Sequence, residues 1–133
     1  MRFLLDTGSC IFIARRKPSA ALTRLERLRP GDVGMSVVTY LELVSGALNS
    51  ANAEMNLNRV VELGKIIPVL PLGPVSAENF GRLRVQLQRE GSVIGAYNMI
   101  IAAHALSLHL TLVTNNVREF SRVPGLKIDN WLE

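Results

Sequence analysis

The sequence contains five oxygen-bearing side chains that could act together on a phosphodiester bond: Asp6, Glu42, Asn98, Asn116 and Glu119. The first of them directly follows a short apolar run, a position at which open α/β sheets bind ligands. Convergent carboxylate and amide oxygens would bind a hard divalent cation such as Mg²⁺ or Mn²⁺. Such a cation polarises phosphoryl oxygens and activates water, so the pattern indicates metal-assisted phosphodiester hydrolysis.

Glu42 lies on a predicted helix that begins after the N-cap residue Ser36. Apolar residues recur on this helix with the i, i+4, i+7, i+11 spacing of a buried face. This predicted face consists of Val37, Leu41, Val44 and Leu48. Glu42 falls on an adjoining polar side of the helix. We therefore expect its carboxylate to lie beside the core.

The other three candidates belong to the second half of the chain. Asn98 lies in the first turn of a helix predicted over 96–108, where the positive end of the helix dipole favours anions. An Asp would suit this place well, but an Asn carries no charge. A strand predicted over 111–113 brings Asn116 and Glu119 to the same edge of the sheet as the first strand.

Each candidate also has a plainer interpretation. Asp6 could be only an N-cap or turn residue, and Asn116 could belong to an ordinary turn. Glu42 could be an exposed helix residue, and Asn98 could serve only to begin its helix. Each signal alone is weak, and the prediction of a site rests on their joint placement.

Short apolar runs alternate with longer helical segments, which is typical of an α/β domain with a mainly parallel sheet. We expect one domain over residues 1–133. Strands are predicted over 2–5, 33–35, 66–70, 111–113 and 126–128. Helices are predicted over 7–15, 19–29, 52–65 and 96–108, in addition to the helix of Glu42 and one between Ser76 and Gly91. The segment 117–120 is predicted to be a turn or a short helix.

Several single residues are expected to shape these elements. Thr7 or Ser9 could cap the first helix, and Ser76 is the predicted N-cap of its own helix. Gly91 would end that helix as the C′ residue. Pro68 places the third strand towards an edge or an end of the sheet.

Composition sets limits on the class of protein. Hydrophobic residues make up 48% of the chain and the formal net charge is +4, so we expect a real core and a basic surface that suits a polyanionic partner. A lone Cys10 excludes an intrachain disulfide and fits a reducing cytoplasm. The apolar run at the start of the sequence is too short for a signal peptide, and the acidic Asp6 follows it too early. The charge-free stretch 91–117 contains enough polar residues to favour a core helix and strand over a membrane span.

Other kinds of chemistry have little support. His104 and His109 are five residues apart and do not share a helical face, so zinc binding is disfavoured and His104 is expected to pack in its helix. The sequence has no GxGxxG, Walker or GxSxG motif, which argues against nucleotide cofactors and against a serine nucleophile. Cys10 lies in an apolar helix start and is an unlikely nucleophile by its surroundings.

Four segments together resemble one family along essentially the whole chain. These segments are Phe3–Thr7, Ser36–Leu43, Ile94–Ala105 and Val113–Phe120. They resemble the PIN-domain ribonuclease toxins of the VapC type. The resemblance implies a three-layer α/β/α fold around a short, mainly parallel sheet, with Mg²⁺ or Mn²⁺ at the carboxyl edge of the strands.

The same resemblance implies roles for the candidate residues. Asp6 and Glu42 match two of the family's acids, and the third acidic position falls on Asn98, so these three would be the metal ligands. The fourth position falls between Thr114 and Glu119, where Asn116 and Glu119 both remain open.

The resemblance also implies partners. It implies a homodimer, a VapB-type antitoxin whose tail enters the active groove, and a larger hetero-oligomer that meets operator DNA only through the antitoxin. RNA would be the substrate. The segment Thr114–Phe120 is similar to that of members that cut tRNA, and initiator tRNA in particular.

Two departures from the family's pattern bear on activity. Gly8 stands where an Asn is usual, and Asn98 stands where an Asp is expected. The loss of one negative charge predicts weak metal binding and slow or absent cleavage. Such a change would inactivate a toxic nuclease, and it could be either engineered or natural. The alternative function is a non-catalytic module that binds RNA or the antitoxin through the same groove.

Overall fold

The computed structural model describes residues 1–15, 20–29 and 31–131. Within them, a five-stranded sheet is formed by β1 (Phe3–Leu5), β2 (Val33–Ser36), β3 (Val69–Leu70), β4 (Thr111–Val113) and β5 (Ile128–Asp129). The strand order is β3-β2-β1-β4-β5, and every neighbouring pair is parallel. The predicted parallel sheet is confirmed, and the strand after Pro68 lies at an edge as expected.

Helices connect these strands and cover both faces of the sheet. They are α1 (Thr7–Ala14), α2 (Ala20–Glu26), α3 (Val37–Leu48), α4 (Ala53–Ile66), α5 (Pro74–Glu90), α6 (Ala96–Ser107) and α7 (Val117–Phe120). Successive strand residues point to opposite faces. Leu4 therefore packs in an apolar cluster with α5 and α6, while Phe3 and Leu5 pack in a second cluster with α1 and α4. These layers confirm the predicted α/β/α arrangement.

The register of the three central strands positions the site. Leu5 pairs with Met35 on one side and with Val113 on the other. The next residues, Asp6, Ser36 and Thr114, therefore lie side by side at the carboxyl edge of the sheet. No helix among the described residues is long and apolar enough to cross a membrane.

The predicted buried face of α3 is wrong. Leu41 is 44% exposed and Leu48 is 57% exposed, whereas Val38, Leu43 and Ala47 are buried. Apolar residues occur on several sides of this helix, so their spacing fits more than one face. Packing of α3 against α4 and α6 selects the side with the smaller Ala47 and the polar Thr39.

Helix caps confirm some predictions and correct others. Ser36 caps α3 by accepting a hydrogen bond from the Val38 N–H, and Gly91 ends α5 with a positive φ of 66°. The cap of α1 is Asp6, so the prediction of Thr7 or Ser9 is wrong.

The start of α5 and two strand boundaries also differ from the prediction. Gly73 precedes Pro74 at the start of α5, so Ser76 is an interior helix residue and its hydroxyl bonds that of Ser107 at 2.8 Å. The strand predicted over 66–70 is confined to β3 because α4 runs on to Ile66. The last strand begins two residues later and ends one residue later than predicted. Ser19 and Pro30 lie outside the described residues.

Candidate active site

Asp6 is buried at the point where β1 gives way to α1, with 5% of its surface exposed. Its Oδ1 accepts a hydrogen bond of 2.8 Å from the backbone N–H of Ser9, and this contact caps the helix. Its own N–H donates to the carbonyl of Val113 at 3.0 Å. The interpretation of Asp6 as an N-cap is therefore correct. It does not compete with a role in a site, because the cap uses one of two carboxylate oxygens.

Glu42 lies next to the residue that follows Asp6. The hydroxyl of Thr7 donates to Oε1 of Glu42 at 2.7 Å and lies 3.3 Å from the hydroxyl of Thr39. A hydroxyl has one proton, so the shorter contact to Glu42 takes it, and Thr39 is left as a close polar neighbour of Thr7. Glu42 is half-buried, which rules out the plainer interpretation of a freely exposed helix residue.

A second group of side chains surrounds Glu119. Its Oε1 accepts a 2.7 Å hydrogen bond from the backbone N–H of Gly95, and its Oε2 accepts one of 2.9 Å from the Asn116 amide. The Asn98 amide also bonds this carboxylate. The Gly95 N–H is the largest cause that lowers the pKa of Glu119; burial opposes it, and the two amides and the charge of Arg122 add to it.

The two groups approach each other at Gly8. A Cβ placed on Gly8 would lie 3.9 Å from Oδ1 of Asp6 and 3.5 Å from Oδ1 of Asn115. Both are ordinary contact distances, so the backbone would accept the Asn that the family usually carries there. Asn115 adjoins Asn116, and the turn after β4 is thereby placed beside the end of β1.

The structure thus joins Glu42 to Thr7, the residue after Asp6, and joins Asn98 and Asn116 to Glu119, at one edge of the sheet. Within the described ranges, no three His, Cys, Asp or Glu side chains lie close enough to hold a metal ion. The donors present are carboxylate and amide oxygens without His or Cys, and this chemistry fits Mg²⁺ or Mn²⁺ better than zinc.

A buried histidine lies beneath this edge. His104 is fully buried, and its Nδ1 lies 2.8 Å from the hydroxyl of Ser36, the cap of α3. Burial lowers the pKa of His104, and the nearby Pro71 carbonyl partly offsets this effect. In the part of the chain that the structure describes, Nε2 of His104 has no partner with hydrogen-bond geometry. The pair ties α3, which carries Glu42, to α6, which carries Asn98. His104 is the packed helix residue that we predicted.

The sequence alone did not identify the roles of Thr7, Thr39 and Gly95. A signal for the first two existed, because hydroxyl residues stand directly after Asp6 and three residues before Glu42. Gly95 gave none, since its contribution is a backbone N–H. Cys10 is buried, and burial raises its pKa, with the charge of Asp6 adding to the effect. Both effects favour the protonated thiol, which is a poor nucleophile.

Comparison with known proteins identifies the family. The PIN domain model matches residues 3–126. The chain is 39% identical over 131 residues to the tRNA(fMet)-specific endonuclease VapC of Shigella flexneri, with 98% of each chain covered. It is 35% identical over 132 residues to Ribonuclease VapC2 of Haemophilus influenzae, with 99% of each covered.

A solved structure agrees with these matches over the same length. The fold is similar to DNA-bound VapBC from Salmonella typhimurium, with a TM-score of 0.93, 38% identity and 98% of each chain covered. The matched lengths leave room for no large insertion in either chain. The protein therefore belongs to the PIN-domain ribonuclease toxins of the VapC type.

Proposed function

We propose that this protein is a metal-dependent endoribonuclease toxin of a type II toxin–antitoxin pair, that it cuts tRNA, and that initiator tRNA is its target. The observation that carries the proposal is the contact that places the Glu42 carboxylate against Thr7, directly beside Asp6 at the carboxyl edge of the sheet. The name of the Shigella relative, a tRNA(fMet)-specific endonuclease, supports the choice of substrate.

Asp6, Glu42 and Asn98 would hold Mg²⁺ or Mn²⁺, and Asn116 or Glu119 would complete the site. The cation would supply charge for the phosphoryl oxygens and a water of lowered pKa. The chain's own contribution is orientation. Ser9 holds one oxygen of Asp6 and Thr7 holds one oxygen of Glu42, so both carboxylates are fixed before RNA arrives.

Asn98 is proposed to make this form slow or inactive. Its amide brings no negative charge and is engaged with the carboxylate of Glu119. An Asp at this place would face Glu119 as a second anion, and a cation between the two would relieve the repulsion. The hydrogen bond seen here takes the place of that cation and weakens the demand for it.

The proposal includes partners and setting. A VapB-type antitoxin would insert an Arg or Lys into the groove, because the groove presents the carboxylates of Asp6 and Glu42. We further propose that the protein forms homodimers and larger complexes with the antitoxin, and that it contacts operator DNA only through the antitoxin. The proposal places the protein in the cytoplasm and treats residues 1–133 as one domain. One similar solved structure is a VapBC complex bound to DNA, which supports the antitoxin and the operator as partners.

A second candidate is a non-catalytic module that binds RNA or antitoxin through the same groove. The observation that favours it is the amide of Asn98 bonded to Glu119, because a closed amide–carboxylate pair is stable without metal. The two candidates differ in whether a restored acid produces cleavage.

One experiment separates them. Total tRNA is incubated with Mn²⁺ and either the present chain or its Asn98→Asp variant. The inactive control, or blank, is the Asn98→Asp variant that also carries Asp6→Ala. We expect cleavage by Asn98→Asp that exceeds the present chain by orders of magnitude and is absent from the blank. Equal activity of the first two forms would show that position 98 is not a ligand. Binding of tRNA without cleavage by either form would establish the non-catalytic module.

A further inference from the structure

We propose that the first turn of α6 and the adjoining α7 form a nucleotide-docking surface, in which Tyr97 stacks on an unpaired RNA base and Arg118 binds a neighbouring phosphate. The inference rests on the proposed function, since it assigns residues that would present RNA to the site. It concerns side chains outside the five candidates described above.

Tyr97 is an aromatic side chain in a position that packing does not explain. It is 54% exposed, whereas Phe3, Phe120 and Trp131 are buried. Its hydroxyl has no hydrogen-bond partner among residues 1–15, 20–29 and 31–131. It directly precedes Asn98 in the first turn of α6, so an exposed aromatic ring is attached to the same turn as a candidate site residue. Exposed aromatic rings are the platforms on which single-stranded RNA bases stack.

Arg118 supplies the complementary charge. It lines an open hollow of about 320 Å³ together with Gly95, Asn116, Glu119 and Arg122, so that two arginines and one carboxylate border the hollow. The guanidinium of Arg122 donates to the Val93 carbonyl at 3.2 Å and is partly committed to the fold. Arg118 is exposed, and its side chain has no ion pair or hydrogen bond within the described part of the chain. A free guanidinium in a polar hollow matches the geometry of a phosphate.

One short contact holds the two parts together. The Gly95 N–H donates to Glu119 at 2.7 Å, and this bond joins residues that are 24 positions apart in the chain. Tyr97 follows Gly95 by two residues, and Arg118 precedes Glu119. The ring and the guanidinium are therefore attached to the two sides of one fixed contact, which also belongs to the candidate site.

The charge of this surface favours RNA over the antitoxin as its occupant. An antitoxin segment that enters the acidic groove would carry Arg or Lys, and Arg118 and Arg122 would repel such a segment at the rim. A phosphodiester chain is attracted by the same arginines, and its unpaired bases gain from an exposed ring. The surface would thus guide a single-stranded loop towards Asp6.

The test measures binding without cleavage, in the presence of a chelator. The probe is a fluorescein-labelled, ten-nucleotide single-stranded RNA of mixed sequence, and the protein is the full chain. We expect Tyr97→Leu to weaken binding by about ten-fold or more, and Tyr97→Phe to remain within about two-fold, because stacking needs the ring and not the hydroxyl. Arg118→Ala should reduce the slope of log K against log salt by about 0.7, the value for one phosphate contact on a single strand.

Arg89→Ala is the matched control, since Arg89 is an exposed arginine on α5 that lines a different hollow. It should leave both affinity and salt slope close to those of the parent. Binding by the parent that is insensitive to both Tyr97→Leu and Arg118→Ala would overturn this inference and leave the proposed function standing. Absence of binding by the parent to this probe would likewise overturn the inference, whereas the proposed function is tested separately by the cleavage of tRNA with Mn²⁺. Variants that bind RNA normally but lose a VapB-type antitoxin would assign the surface to the antitoxin and also overturn the inference.

Discussion

The hydroxyl of Thr7 donates a 2.7 Å hydrogen bond to the Glu42 carboxylate and so joins two residues that are 35 positions apart. Thr7 begins α1, directly after the buried Asp6, and Glu42 lies in the middle of α3. The bond fixes where one candidate ligand lies relative to the other. It also gives a carboxylate beside the core a donor that it would otherwise lack.

Removal of this donor should destabilise the fold. Thr7→Val keeps the branched shape but leaves one oxygen of Glu42 without its partner, and we expect a loss of about 1–3 kcal/mol in the free energy of unfolding. Thr7→Ser keeps the hydroxyl and should cost less. Urea denaturation of the two variants measures the difference. Equal stability of Thr7→Val and the parent would show that water replaces the hydroxyl.

Asn98→Asp should make stability depend on divalent cations. Without metal, the new carboxylate loses a hydrogen bond to Glu119 and repels it, so the melting temperature should fall at neutral pH. Added Mn²⁺ should raise it by mass action, and to a greater extent than for the present chain. Thermal unfolding with a chelator and with a Mn²⁺ series measures both effects. A metal response that is the same in both forms would contradict the assignment of position 98.

Glu119 should contribute stability that is lost in acid. The Gly95 N–H lowers its pKa below the ordinary value of 4.5, so the folded state binds a proton less readily than the unfolded state. The contribution is complete above this ordinary value and declines as the pH falls through the lower folded-state pKa. Glu119→Gln should therefore flatten the fall in stability below about pH 4.5. The measurement is denaturant unfolding between pH 3 and pH 6, and an unchanged profile in the variant would refute the role of this carboxylate.

His104 should act in a higher pH window. Burial lowers its pKa from the ordinary value of 6.5, so protonation favours the unfolded chain. Stability from this residue is complete above that value and is lost as the pH falls below it. His104→Asn retains a polar atom near the position of Nδ1, and it should reduce the loss of stability as the pH falls below the ordinary histidine pKa of 6.5, at some cost in packing. A stability profile that stays equally steep in this window would assign the titration to another group.

The exposed face of α3 can be tested by a matched pair of truncations. Leu43 is 7% exposed, and Leu43→Ala should cost about 2–5 kcal/mol. Leu41 is 44% exposed on the same helix, and Leu41→Ala should change stability by no more than about 0.5 kcal/mol. Denaturation at two protein concentrations checks both values. A large, concentration-dependent loss at Leu41 would show that a second copy of the chain covers this face.

Local patterns were enough to predict the sheet and the place of Asp6. Short apolar runs predicted the strands, because strands of a parallel sheet are buried on both faces. Ser36 and Gly91 were predicted correctly because capping depends on the chain immediately around them. The expected set of candidates at one sheet edge follows from the same logic, since carboxyl ends of parallel strands share an edge.

Contacts between distant parts of the chain could not be predicted in this way. The partner of Glu119 is the backbone of Gly95, and no side-chain type announces a backbone donor. The inner face of α3 depends on how the helix packs against α4 and α6, so a sequence with apolar residues all round cannot specify it. The choice between Asn116 and Glu119 stays a prediction, because the two side chains bond each other within one cluster.

The local donors of the three acids bear on when the protein becomes competent for chemistry. Asp6 has Ser9, Glu42 has Thr7 and Glu119 has Gly95, so each carboxylate is neutralised in part by a donor on the chain itself. Folding then has no need to await an ion from solution. A chelating agent should abolish cleavage of RNA but leave the chain folded. The supply of divalent metal would then regulate the rate of cleavage without altering the amount of native protein.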